Sequence, residues 1–128
     1  KSCGREEFNL PWLEQQLSGS ERPEDVQATL LELTARAASG AIARWCDAPD
    51  ELYVCGGGAH NRKLMARLQH LAANCRVAST DLLGQGADWV EALAFAWLAW
   101  RTLNNLPGNL AEVTGAHGPR ILGAVYPR

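Results

Sequence analysis

Apolar side chains recur along this chain in different rhythms, and each rhythm predicts a different element. Val26, Leu30, Leu33 and Ala37 return at helical spacing, which predicts a first long helix from Pro23 to about Cys46. Pro23 suits its first turn, and Glu24 and Asp25 complement its dipole. The stripe is its expected core face. Toward the end the residues shrink to Ala37, Ala38, Ser39, Gly40 and Ala41, a surface that would let another element approach closely. Leu64, Met65, Leu68, Leu71 and Ala72 mark a second amphipathic helix from about Arg62 to Ala73. Short β-like runs flank it, Glu51 to Cys55 before and Arg76 to Ser79 after. Strand, helix, strand in this order predicts a parallel βαβ unit with a right-handed crossover.

A further helix, from Asp88 to about Asn104, has no polar face. Trp89, Val90, Leu93, Phe95, Trp97, Leu98 and Trp100 make it apolar on nearly every side, so it is expected to be buried all round or shared with a partner. Its acids Asp88 and Glu91 stand three positions apart in the expected first turn, on one face, toward the loops that follow the strands. Complementing the helix dipole is the simpler role for them. Upstream lies a lead-in over residues 1–22, polar from Lys1 to Glu7. In it Asn9 caps a short helix, Pro11 sits in the first turn, Trp12 and Leu13 dock it, and Ser18-Gly19-Ser20 ends it. Downstream, Leu106 to Pro119 is too rich in Pro, Gly and Asn to be regular, and Ile121 to Val125 reads as a final short strand.

Candidate chemistry concentrates where the first strand runs out. Gly56, Gly57 and Gly58 follow Cys55, and Asn61 is placed to cap the next helix. A backbone without Cβ atoms can adopt positive φ and lie against a ligand with its N–H groups outward, and a helix mouth favours phosphate. A tight turn with no ligand is the plainer alternative. The loop from Thr80 to Ala87, with Gly84 and Gly86, leaves the same sheet edge, so both loops should face one crevice. A Rossmann-like dinucleotide fold competes for the glycines, since Asp81 follows the second strand where a ribose-binding acid belongs. Asn61 occupies the place of that motif's third glycine. A non-catalytic helical interaction module using its tryptophans is the other alternative.

Composition narrows these readings. The 128 residues suit a single α/β domain, and 47% hydrophobic content is ordinary for a globular chain with a core. With 12 basic and 14 acidic residues well mixed and a net charge of −2, no nucleic-acid partner is expected. No apolar run reaches the roughly 18 residues that span a bilayer, no signal peptide is evident, and no membrane partner is expected. Cys3, Cys46, Cys55 and Cys75 lack the close spacing of a zinc or redox pair. Cys46 and Cys55 are expected as reduced core thiols in a cytoplasmic protein. His60, His70 and His117 are isolated, so no metal site is assigned; His60 falls beside any ligand of the glycine turn, and His70 reads as a solvated helix position. The first residue is Lys1 rather than Met, which points to a piece of something longer.

Several stretches together are more specific than any of these features. Lys1-Ser2-Cys3-Gly4-Arg5-Glu6 with Phe8-Asn9-Leu10, Asp25-Val26-Gln27-Ala28-Thr29-Leu30, Val54-Cys55-Gly56-Gly57-Gly58-Ala59-His60-Asn61, Trp89 through Ala99 and Val113-Thr114-Gly115-Ala116 resemble, in that order, the C-terminal part of the anhydro-N-acetylmuramic acid kinase family. The likeness runs the length of the chain, and Cys3 stands where the family more often has Thr.

The resemblance implies a helix-rich C-terminal lobe of an actin-like (ribonuclease H-like) ATPase with a small parallel sheet. It implies a bacterial cytoplasmic kinase that uses ATP and Mg²⁺ to convert 1,6-anhydro-N-acetylmuramic acid to N-acetylmuramic acid 6-phosphate in peptidoglycan recycling. Gly56, Gly57, Gly58 and Asn61 would lie along the nucleotide, and Glu91 matches an acid that reaches the sugar. Asp88 joins it as a substrate-side candidate from its position alone. The opening segment would be ordered. The family's catalytic Asp and Mg²⁺ ligands belong to an N-terminal portion, so no catalytic or metal residue is expected in this chain, which alone should be inactive. Helix faces and a sheet edge left uncovered predict self-association, with a homodimer as the expected form.

Overall fold

The strand, helix, strand unit forms where the pattern places it. The computed structural model describes residues 6–72 and 74–126. Strand β1 (Glu51–Val54) pairs in parallel with β2 (Arg76–Ser79), Glu51 beside Arg76 through Val54 beside Ser79, and α3 (Arg62–Leu71) crosses between them. Asn61 starts α3 by accepting the N–H groups of Lys63 and Leu64, both at 3.1 Å. Gln69 on α3 fastens the helix to the incoming strand, donating to the Cys75 carbonyl and accepting from the Val77 N–H, each at 2.9 Å. The expected helix limit at Ala73 lies outside the described residues, as do Lys1 to Arg5 with Cys3, and Pro127 and Arg128.

Helix α1 (Leu10–Gln16) is capped by Asn9, which accepts the Trp12 N–H at 2.9 Å. The corner after it is tied by Glu21, which accepts from the Ser18 N–H and hydroxyl and the Gly19 N–H at 2.8 to 3.0 Å. Those bonds favour the carboxylate and hold its pKa down to about 2. Helix α2 (Pro23–Trp45) follows. Its buried face departs from the expected stripe. Ala35 is fully buried and Leu31 half-buried, whereas Leu33 and Ala37 remain exposed beside Phe8, Trp12 and Leu13 of the lead-in, around an open groove. The reason is competition between neighbours: α3 packs on the Leu31 and Ala35 side, while α1 is too short to cover the other. Nor does the small surface at Gly40 receive an element, since a Cβ there would meet nothing within 4 Å.

Glu32 of α2 joins α3 through both oxygens, accepting Arg67 Nε at 2.6 Å and Nη2 at 2.7 Å, with Arg36 Nε at 2.5 Å on the same carboxylate. The Arg67 bonds, with Arg36 adding to them, hold the Glu32 carboxyl down to about 2.

The last long helix, α4 (Val90–Leu103), begins two residues later than expected, after a 3₁₀ turn over Ala87–Trp89. It is far from buried: Leu93 is 55% exposed, Phe95 63%, Trp100 54% and Leu103 70%. The chain beyond it covers one side only. Thr102 donates to the Leu122 carbonyl, Arg101 Nε to the Pro107 carbonyl at 2.6 Å, and Gly108 N–H to the Arg120 carbonyl at 2.9 Å. Gly108 permits that return, because a Cβ there would stand 3.0 Å from Leu98 Cδ2.

The C-terminal region differs from expectation in two ways. A one-turn helix α5 (Ala111–Thr114) interrupts the stretch expected to be irregular, closed by Gly115 at φ 69°. Ile121 to Val125 forms no strand, because Leu122 bonds to Thr102 of α4 and packs against Gly108, after the Arg120 carbonyl has accepted the Gly108 N–H, and the segment meets no sheet edge. Cys46 and Cys55 are exposed, each standing just past the last residue of its element, while Cys75 is buried.

Candidate functional site

The glycine run is built by the strand that precedes it and the helix that follows. After β1, Gly56 takes φ 68° and ψ −167°, a conformation essentially reserved for glycine. The chain then makes a 3₁₀ turn over Gly57–His60 before Asn61 caps α3. Gly57 and Gly58 open that turn, where a helical turn leaves its first N–H donors without carbonyl partners. A Cβ on Gly56 or Gly57 would meet nothing within 4 Å, so this backbone faces open space. Gly58 differs, since a Cβ there would touch Leu64 Cδ2 at 3.5 Å and Val54 Cγ1 at 3.9 Å, on the packed side.

The second loop meets the first, as the shared sheet edge predicts. The Gly56 N–H donates to the Ala87 carbonyl at 2.8 Å, and the Ala87 N–H donates to Asp81 Oδ1 at 3.1 Å. Ala87 is buried at 3% exposure, held on both sides of its peptide unit. Asp81 also accepts the Ser79 hydroxyl through Oδ2. These bonds, the Ser79 hydroxyl first and the Ala87 N–H next, lower its pKa, and the charge of His60 works the same way. Both oxygens of Asp81 thus brace the loop, which removes the acid that a dinucleotide-binding reading needs at the ribose. Gly86 lies close under the Trp89 ring: a Cβ there would stand 3.1 Å from Trp89 Cδ1, so the ring would have to shift by a few tenths of an ångström.

Asp88 is in the 3₁₀ turn and Glu91 in the first turn of α4, so the two stand on consecutive helical turns rather than within the first turn of one α-helix as expected. Both are exposed at the end of α4 nearest the glycine turn. His60 Nε2 lies 2.8 Å from Asp88 Oδ1, a pairing across 28 positions of sequence that no local pattern announces. The Asp81 brace was equally invisible, although an Asp before a glycine-rich turn is a familiar acceptor for the turn's own backbone. His70 is exposed on α3. Among the described residues no group of three or more His, Cys, Asp or Glu is placed to hold a metal ion.

The site is therefore a wall rather than an enclosed pocket. An open concavity of about 620 Å³ reaches it at Asn61, Lys63 and Leu64, with Glu24, Gln27 and Leu31 of α2 opposite, whereas concavities of about 510 Å³ between α1 and α2 and about 450 Å³ between α4 and the C-terminal segment lie away from it and are lined mainly by apolar side chains. No helix among the described residues is long and apolar enough to cross a membrane.

The whole chain, residues 1–128, matches the family model described as Anhydro-N-acetylmuramic acid kinase. It is 54% identical over 127 residues to the anhydro-N-acetylmuramic acid kinase of Nitrosospira multiformis, covering 99% of this chain and 35% of that protein. To the enzyme of the same name from Pseudomonas paraeruginosa it is 55% identical over 129 residues, again 99% of this chain and 35% of the relative. The Pseudomonas fluorescens protein of that name is 56% identical over 129 residues, with 36% of its length covered. The chain thus spans about a third of the length of the curated relatives it matches.

Proposed function

The chain belongs to the anhydro-N-acetylmuramic acid kinase family, and from that premise we propose that it is the C-terminal lobe of an ATP-dependent sugar kinase. The whole enzyme opens the 1,6-anhydro ring of anhydro-N-acetylmuramic acid with water and passes the γ-phosphate of ATP to O6. Its product, N-acetylmuramic acid 6-phosphate, serves peptidoglycan recycling in the bacterial cytoplasm. We take residues 1–128 as one domain of actin-like ATPase type; helices around a parallel strand pair support this.

The observation that carries the reading is the bare backbone of Gly56 and Gly57, open to solvent at the head of a 3₁₀ turn and tied to the start of the helix bearing Glu91. The N–H groups of Gly57 and Gly58 at the head of the turn suit the phosphates of ATP, while the Gly56 N–H is spent on the Ala87 carbonyl and Gly56 offers only its bare Cα; on this reading Gly56, Gly57, Gly58 and Asn61 lie along the nucleotide. Glu91, with Asp88 beside it, faces the sugar. ATP supplies the phosphoryl group; this lobe binds and orients.

Mg²⁺ does not fit the residues here. Asp81 is committed to Ser79 and Ala87, and Asp88 is paired with His60. The metal ligands and the base that activates water are assigned to the remaining two thirds of the kinase. That portion, and a second copy in a homodimer, would cover the apolar faces of α4 and the groove beside α1.

The test is kinetic. In the full-length kinase, Glu91→Ala should raise the sugar KM by roughly tenfold or more, the loss of a charge-assisted hydrogen bond, and leave the ATP Kd measured without sugar close to wild type. The 128-residue chain alone should show no turnover with ATP, Mg²⁺ and the anhydro sugar. Robust turnover by the chain, or an unchanged sugar KM in the variant, overturns the assignment.

A further inference from the structure

The junction between the glycine turn and α4 holds more bonds than a connection needs. Gly56 N–H reaches the Ala87 carbonyl at 2.8 Å, and Asp81 accepts the Ala87 N–H at 3.1 Å. The next residue, Asp88, pairs with His60 at 2.8 Å, and His60 is the last residue of the turn opened by Gly57. Both side chains of that pair are open to water, 61% and 63% exposed, so the pair adds little to folding stability. What it does is geometric. It fixes the far end of the Gly57–His60 turn to the residue three positions before Glu91. The near end of the same turn is already fixed to Ala87 through Gly56.

We propose that His60 and Asp88 form a clasp that couples occupancy of the glycine turn by nucleotide to the position of Glu91 at the head of α4. This rests on the kinase reading, in which the turn takes the phosphates and Glu91 the sugar. A turn clamped at both ends to one short segment cannot shift toward a phosphate without moving that segment. His60 is accordingly a positioning residue, acting through Asp88, with no contact to the reacting atoms. Coupling of this kind is reciprocal: nucleotide tightens sugar binding by the factor by which sugar tightens nucleotide binding.

Titration calorimetry on the full-length kinase tests this, measuring sugar Kd with and without a non-hydrolysable ATP analogue. In the wild type the analogue should tighten sugar binding by roughly fivefold or more, the lower range of measured couplings. His60→Ala should bring the ratio near one while changing the sugar Kd without nucleotide little. His60→Gln, whose amide can still donate to Asp88, should restore much of it. His60→Ala with Asp88→Ala together should lower the ratio no further than His60→Ala alone, as expected for partners in one interaction. Melting curves for each variant show whether the fold is intact, and if His60→Ala is unfolded the Asp88→Ala ratio decides. A ratio unchanged in folded His60→Ala, or near one already in the wild type, overturns the clasp. Those results leave the kinase reading standing if Glu91→Ala still weakens sugar binding, whereas an ineffective Glu91→Ala removes the reading itself.

Discussion

Helices α3 and α4 differ in what their sequences say about neighbours. On α3, Leu64, Met65, Leu68 and Leu71 gather on one face, and that face packs within the chain, with Leu68 only 4% exposed. On α4 apolar residues surround the axis, and most of them face water: Phe95 is 63% exposed, Trp97 49% and Trp100 54%. A one-sided stripe identifies both a partner surface and its direction. A helix apolar all round records only that it is covered, and the covering can come from outside the polypeptide at hand. The candidate site sits between these two regimes, its turn anchored to the α3 unit and its acids at the head of α4.

The largest expected effect lies on the α3 side. Leu68→Ala removes the most deeply buried large side chain of that interface, and should cost about 2–5 kcal/mol by the usual transfer and cavity terms. Urea denaturation of the 128-residue chain measures it. A loss under about 1 kcal/mol would mean that α3 is no better packed than α4, and the contrast would fail.

The glycine turn sharpens the comparison one step down. Gly56→Ala forces a side chain into φ 68° with ψ −167°, at a cost of about 1–3 kcal/mol, and should also weaken ATP binding in the full-length kinase. Gly58→Ala places its Cβ in ordinary contact with Leu64 and Val54, and should change stability by no more than about 0.5 kcal/mol. Equal effects from the two would show that the turn is not anchored as described.

Acid should loosen the α2 to α3 seam before it touches α4. Arg67 and Arg36 hold the Glu32 carboxyl at about 2, below its unfolded value. The stabilisation is therefore complete above the ordinary carboxylate pKa of about 4.3, and is lost as pH falls toward 2. Arg67→Gln should flatten that part of the pH profile of chemical denaturation. An unchanged profile would remove Glu32 as its source.

How much of this was legible in sequence follows from where each contact lies. Asn61, the parallel pairing of β1 and β2, and the meeting of the two loops depend on residues near in sequence or on the fixed geometry of a βαβ unit, and these were readable. The buried face of α2 was not, because α1 and α3 compete for it and only packing decides which side closes. Ile121 to Val125 has strand composition, yet Thr102 and Gly108 draw it onto α4 instead. His60 with Asp88 lies beyond any local pattern. Cys46 and Cys55 carry the composition of core residues but stand one position beyond the elements that would have buried them.

The smallest effect in the chain is the most telling for α4. Trp100→Ala removes a side chain that is 54% exposed, so within the 128-residue chain it should alter stability by about 0.5 kcal/mol or less. In a protein where α4 is covered, the same substitution should cost about 3–5 kcal/mol, as for a buried aromatic. Comparing the two backgrounds by denaturation measures how much covering the rest of the kinase supplies. The variant chain should also self-associate less by light scattering at equal concentration, since it loses part of an exposed apolar patch. A cost in the isolated chain as large as that of Leu68→Ala would place α4 in the chain's own core. The apolar sequence of α4 would then describe this chain's packing, and no outside surface would be needed to account for it.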